Sequence, residues 1–206
     1  MATPNLINKA LTDNKKLIQT SRGIYEFEDR AIIPTKRIPL VVVHPYFVFE
    51  TPSKDKIEED NQDWAGEVRN IEYYTTYRKK LENLIADPGR AVLTFEFGKT
   101  LETTAERYRE IGKKDNTYFM EWGGTFLSPG IDDGNSWIGT FIFLMNLYYK
   151  TEGVGDVVEI DVSGGFLFKQ RDRFLNREYY GGCLGGMIEK LNEYKIKTNI
   201  IEYAIF

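Results

Sequence analysis

The run Ile38-Pro39-Leu40-Val41-Val42-Val43-His44 constrains the fold more than any other stretch. It is continuously apolar rather than alternating, and rich in β-branched residues, which describes a strand buried on both faces. Pro45 has no N–H to give a ladder, so the strand ends at or near His44, the only histidine in the chain. Four more runs of this kind follow, at residues 91–97, 117–122, 157–162 and 199–205.

Helical patterns separate these runs. Val68, Ile71, Tyr74, Tyr77, Leu81, Leu84 and Ile85 recur at helical spacing, and Asp87-Pro88-Gly89 stops them. Leu101, Ala105, Tyr108 and Ile111 form a second stripe, with Thr100 or Thr103 as cap and Gly112 as terminator. Residues 136–150 are apolar nearly all round, which predicts the most buried helix of the protein. Leu184, Met187, Ile188, Leu191 and Tyr194 mark a fourth. Five strands alternating with helical crossovers predict a three-layer α/β/α domain with an open, mostly parallel, five-stranded, Rossmann-like sheet. Right-handed crossovers then gather the carboxyl ends of the strands on one side, where such sheets bind ligands.

With 206 residues the chain holds one sizeable core, read as a single domain over 1–206. Residues 1–37 form an N-terminal cap, loosely helical over 5–19 and then irregular or an edge strand. Residues 49–66 are a long acidic loop, a candidate lid or a disordered segment, with six carboxylates against two lysines over 50–63. A net charge of −4 gives no strong nucleic-acid signal. One cysteine precludes an internal disulfide and fits a reducing compartment. No apolar stretch reaches the length of a membrane span, so a soluble cytoplasmic protein is expected.

The chemistry gathers at the strand ends. Glu96-Phe97-Gly98-Lys99-Thr100 recurs as Glu121-Trp122-Gly123-Gly124-Thr125, each copy closing an apolar run. His44, Glu96, Glu121 and Asp161 all fall at predicted carboxyl ends. Glu96, Glu121 and Asp161 as hard oxygen ligands suit Mg²⁺ or Mn²⁺ in a metal-dependent hydrolase, with His44 and Glu121 in catalytic roles. The same acids also suit capping of the neighbouring helix N-termini. Gly98-Lys99-Thr100 has the ending of a phosphate loop but not its spacing, since position 93 is Leu. Together with Gly123, Gly124, Gly164 and Gly165 it remains a candidate cradle for an anionic small molecule.

Cys183 stands among Gly181, Gly182, Gly185 and Gly186 at a helix start, a setting that activates a thiol; a small buried hydrophobe is the structural alternative. The element order, with a cysteine opening the helix before the last strand, resembles that of the isochorismatase-type cysteine hydrolases. The resemblance is one of topology. The first strand ends in His44 where that family has an aspartate, and the third in Glu121-Trp122 where it has a lysine, so no catalytic residue carries over. The basic, aromatic run from Phe166 to Tyr180 suits an acidic ligand or a subunit contact in a homo-oligomer. The remaining class is a non-catalytic interaction or structural domain.

Overall fold

The computed structural model describes residues 17–21, 24–33, 35, 37–50, 52–55, 57–58, 69–122, 159–172 and 177–206. In chain order the elements are β1 (Leu17–Ser21), β2 (Ile24–Phe27), β3 (Leu40–Val43), α1 (Tyr46–Phe49), α2 (Ile71–Ile85), β4 (Val92–Phe97), α3 (Leu101–Glu110), β5 (Thr117–Trp122), β6 (Glu159–Gly164), β7 (Phe168–Asp172), β8 (Arg177–Gly181), α4 (Gly182–Glu193) and β9 (Lys197–Ile205). The protein is α/β, with a mostly parallel mixed sheet in the order β1-β2-β5-β4-β3-β6-β9. The pairs β5/β4, β4/β3, β3/β6 and β6/β9 are parallel, whereas β1/β2 and β2/β5 are antiparallel.

The sheet has seven strands among the described residues, not five. The two extra ones come from the segment expected to be a cap, whose residues 24–27 coincide with the edge strand that the alternation there allowed for. Leu17, Tyr25 and Phe27 are buried on one face, and pairing β2 against β5 satisfies backbone groups that a detached cap would leave open. A second hairpin, β7/β8, occupies the run from Phe166 to Tyr180, which the sequence marked only as basic and aromatic. The helix expected over 136–150 lies outside the described residues. Among the described residues no helix is long and apolar enough to cross a membrane.

Strand alternation divides the apolar side chains into two clusters. Val41, Val43, Leu93, Phe95, Met120, Trp122, Ile160 and Val162 pack with Leu184, Met187, Ile188 and Leu191 of α4. Leu40, Val42, Val92 and Phe119 pack with Val48 and Phe49 of α1, Tyr74, Leu81 and Ile85 of α2, and Leu101, Ala105 and Tyr108 of α3. β3 is therefore buried on both sides, as its composition requires. Each such side chain contributes about 1.5–3 kcal/mol by leaving water.

Local chemistry sets the helix ends. Asn70 caps α2 by accepting from the Tyr73 N–H at 2.8 Å. After α3, Gly112 takes φ +75°, its N–H bonds the Arg109 carbonyl and the Lys113 N–H bonds that of Tyr108, a Schellman stop that only an unbranched left-handed residue takes easily. The turn throws Lys113 inward, where its ammonium donates to the carbonyls of Asp87 (2.8 Å) and Arg90 (2.6 Å).

Gly164 has φ +122°, and a Cβ there would overlap the Val43 carbonyl oxygen and stand 2.6 Å from the Val43 nitrogen. Gly164→Ala is expected to destabilise by roughly 2 to 4 kcal/mol in denaturant melts. Gly98→Ala, whose Cβ meets only the movable Glu121 carboxylate, is expected to cost well under half of that.

Burial pushes the Lys113 pKa down to about 8. Between about pH 8 and the ordinary lysine value near 10.4 the unfolded chain holds a proton that the folded chain has released. The contribution of Lys113 to stability therefore rises with pH across that window, and the cost of burying the ammonium is present in full below it. Melts of wild type and Lys113→Met from pH 7.5 to 10 are expected to diverge in slope, by up to roughly 3 kcal/mol over the full window.

Candidate functional site

At the end of β3 the chain leaves the sheet through His44, whose φ of 50° is left-handed. Its N–H still bonds the Phe95 carbonyl at 2.8 Å, and Pro45 then opens the single turn of α1. The imidazole is fully buried. It stacks on Phe97 with ring centroids 4.1 Å apart and meets Trp122 edge-on at 5.4 Å. Its Nδ1 lies 3.3 Å from Glu96 Oε1, whereas its Nε2 is buried with no hydrogen-bond partner.

Glu96, the last residue but one of β4, has no solvent exposure. Its carboxylate accepts from the Tyr46 N–H at 3.0 Å, the Phe97 N–H at 2.9 Å and the Thr104 hydroxyl at 3.1 Å, besides His44. Since Tyr46 is the first residue of α1, Glu96 serves as the cap of that turn. An acceptor-only group surrounded by donors also fixes the imidazole: Nδ1 carries the proton facing Glu96.

Glu121 is in register with Glu96 on the adjacent strand. It is half-buried and accepts from the Tyr25 hydroxyl at 3.3 Å; burial and the Glu121 charge raise the Tyr25 pKa. Asp161 is placed elsewhere. β6 runs on through Ser163 and Gly164, which pair with Val42 and Val43, so Asp161 falls beside Leu40 at the amino end of the sheet. There it forms an ion pair with Arg90 and accepts from Asn199 Nδ2 at 3.0 Å. Glycines that read as a strand end are in fact its last rungs, because Gly164 must pass close to Val43. Among the described residues no group of three or more His, Cys, Asp and Glu is placed to hold a metal ion.

The candidate anion cradle is distributed in the same way. Gly98 and Lys99 are exposed, while the Thr100 N–H and hydroxyl both turn back to the Phe97 carbonyl, at 2.9 and 3.0 Å. The Gly165 N–H bonds the Val43 carbonyl at 2.8 Å, and the Phe206 ring lies 3.0 Å from where a Gly165 Cβ would stand. Gly123 and Gly124 lie outside the described residues. Cys183 is buried in the apolar cluster under α4, and burial pushes its thiol up to about 11, opposite to the shift of an activated nucleophile. Its glycine surroundings have a packing cause: a Cβ on Gly185 would stand 2.7 Å from the Tyr180 carbonyl carbon, so glycine lets α4 press against β8.

What the carboxyl edge does present is a cleft of about 420 Å³. Tyr46 and Phe47 from α1, Tyr73 and Tyr74 from α2, Phe166 after β6 and Phe206 after β9 supply aromatic walls; among the described residues Arg69 and Glu50 are the charged ones in its lining. Pro52 and Ser53, from the expected lid loop, complete part of the rim. The Tyr46 hydroxyl donates to Glu50 at 2.6 Å, which raises the Tyr46 pKa. Phe47 and Phe166 meet edge to face at 4.7 Å, and both rings also contact His44, at 6.2 and 6.5 Å. The sequence signal for this cleft is its aromatic load, 13 Phe and 13 Tyr, which by itself does not separate core from cleft.

Compared with protein-family models, with curated proteins and with solved structures, the chain matches none. The likeness to isochorismatase-type hydrolases therefore rests on element order alone.

The thiol gives a direct check on this arrangement. At pH 8 iodoacetamide is expected to leave Cys183 unlabelled in the folded protein and to label it readily in denaturant, followed by intact mass. Rapid labelling without denaturant would place the sulfur in reach of solvent.

Proposed function

We propose that the protein binds a small, planar, anionic molecule at the carboxyl edge of a three-layer, Rossmann-like α/β/α sheet. The observation that carries this reading is the position of the aromatic cleft. β4 follows β3 on one side of it and β6 lies on the other, so strand order reverses between β3 and β6. Tyr46, Phe47 and Phe166 stand beyond the ends of those two strands. A crevice at such a reversal is where open α/β sheets take ligands. Its volume falls in the range of small-molecule pockets, roughly 300–1,000 Å³.

The lining suggests the ligand's chemistry. Aromatic walls favour a flat ring system, held edge-on or offset. Arg69, whose guanidinium also lies 5.8 Å from the Tyr73 ring centroid, brings a planar cation to the lining that favours an acidic group beside it, while Glu50 brings a negative charge to the same lining. Binding is preferred to hydrolysis because neither Cys183 nor Asp161 is among the lining residues.

Anilinonaphthalene sulfonate, an aromatic anion, is a suitable probe. Titration of the folded protein is expected to show one saturable fluorescent site. Phe47→Ala and Arg69→Gln are each expected to weaken it about tenfold, the loss of ~1.4 kcal/mol. Identical affinity in both variants would remove the cleft as the binding site.

A further inference from the structure

Two walls of the cleft, Phe47 and Phe166, also stand edge-on to the ring of His44. His44 Nε2 is fully buried and unpartnered in a protein interior where nearly every such atom is hydrogen-bonded. It is not a group left over by chance packing, for three separate features aim and hold the ring. Glu96 takes the Nδ1 proton, so in the neutral ring Nε2 carries the lone pair and is an acceptor. Phe97 stacks flat on one side, so the ring cannot turn over without opening the cluster. The backbone at His44 is left-handed, and so is that of Phe166, with φ of 50° and 63°. A loop needing only that conformation takes glycine; two ringed residues there, on neighbouring strand ends, put their side chains against each other instead.

Phe47 and Phe166 connect the imidazole ring to the cleft. Both line the cleft on one side and touch the imidazole on the other. Phe47 is 38% exposed and projects from a single helical turn, so rotating it away disturbs no buried packing on its outer side. We propose that His44 Nε2 is the hydrogen-bond acceptor at the inner end of the cleft, reached by displacing Phe47, and that the molecule it takes is a hydroxyl-bearing aromatic. The inference rests on the cleft being a ligand site and adds what the ligand must carry: a flat ring to replace Phe47 against Phe166, and an O–H to donate to Nε2. An aromatic without a donor fills the space and leaves the nitrogen orphaned, which makes the site selective for hydroxylated rings over plain ones.

Because the chain has one histidine, its two ring nitrogens give one pair of resonances in a ¹⁵N-labelled sample. The free protein is expected to show Nδ1 protonated and Nε2 bare. Adding phenol is expected to move Nε2 upfield while Nδ1 stays in place, and benzene at the same concentration is expected to leave both unchanged. Phe47→Ala is expected to bring on the phenol response at several-fold lower concentration. An Nε2 resonance unmoved by phenol, or moved equally by benzene, overturns the proposal, as does a response that Phe47→Ala leaves unaltered. If anilinonaphthalene sulfonate still occupies the cleft in that case, the acceptor role of His44 fails while the cleft reading stands; if neither probe binds, both fail.

Discussion

Burying an ionised carboxylate is tolerable only when its oxygens are fully engaged, and the carboxyl side of this sheet is arranged around meeting that condition for Glu96. Four donors reach it, from the imidazole of His44, the backbone of Tyr46 and Phe97, and the hydroxyl of Thr104. They come from three parts of the chain, so the one side chain ties the β3–α1 junction, the end of β4 and the body of α3 together. Its interactions stand in a low-dielectric setting where a missing partner costs several kcal/mol, which makes the positions of these four groups interdependent. The tautomer of His44, the start of α1 and the seating of α3 are consequences of one buried charge.

The opposite edge of the sheet is fastened differently. There, polar side chains are spent on backbone atoms and on each other. Lys113 holds the turn before β4, Arg90 joins Asp161 and the Ile38 carbonyl, and Asn116 both donates to and accepts from Ile33 at 2.6 and 2.7 Å. This edge is closed by fixed hydrogen bonds, while the carboxyl edge keeps an open aromatic cleft and an unsatisfied nitrogen. The division sets a rigid, hydrogen-bonded edge against one that the proposed function would use for contact with a ligand.

Much of this was readable from residue order, and the limits have physical causes. The β-branched run before Pro45 marks β3 and the place of His44, and the apolar periods mark α2, α3 and α4. Register is less legible. Asp161-Val162-Ser163-Gly164-Gly165 reads as a strand end, yet the ladder continues to Gly164 because glycine admits a close approach to Val43 that no other residue permits. That shift of the strand's end carries Asp161 from the carboxyl edge to the amino edge. The glycines around Cys183 are ambiguous for a related reason: openness to a reagent and closeness to a neighbouring strand both call for the missing Cβ, and here the second applies at Gly185. The alternation at Ile24–Phe27 allowed for an edge strand there, but its pairing with β1 and β5, like the cleft, depends on long-range contacts and packing of aromatic side chains that carry no local signature.

The short turn that carries Phe47 is held at both ends. Glu96 grips the Tyr46 N–H, and Arg78 Nε reaches the Val48 carbonyl at 2.8 Å. With its backbone clamped on either side of residue 47, this segment moves by rotation about the side-chain bonds of Phe47 rather than by loop rearrangement. Such rotations in exposed residues take picoseconds to nanoseconds, against microseconds or longer for lids that reorganise. If Phe47 is the entrance to the imidazole, as proposed, its opening is fast on the scale of an encounter, and diffusion to the cleft rather than a change of protein shape would set the rate at which small molecules arrive.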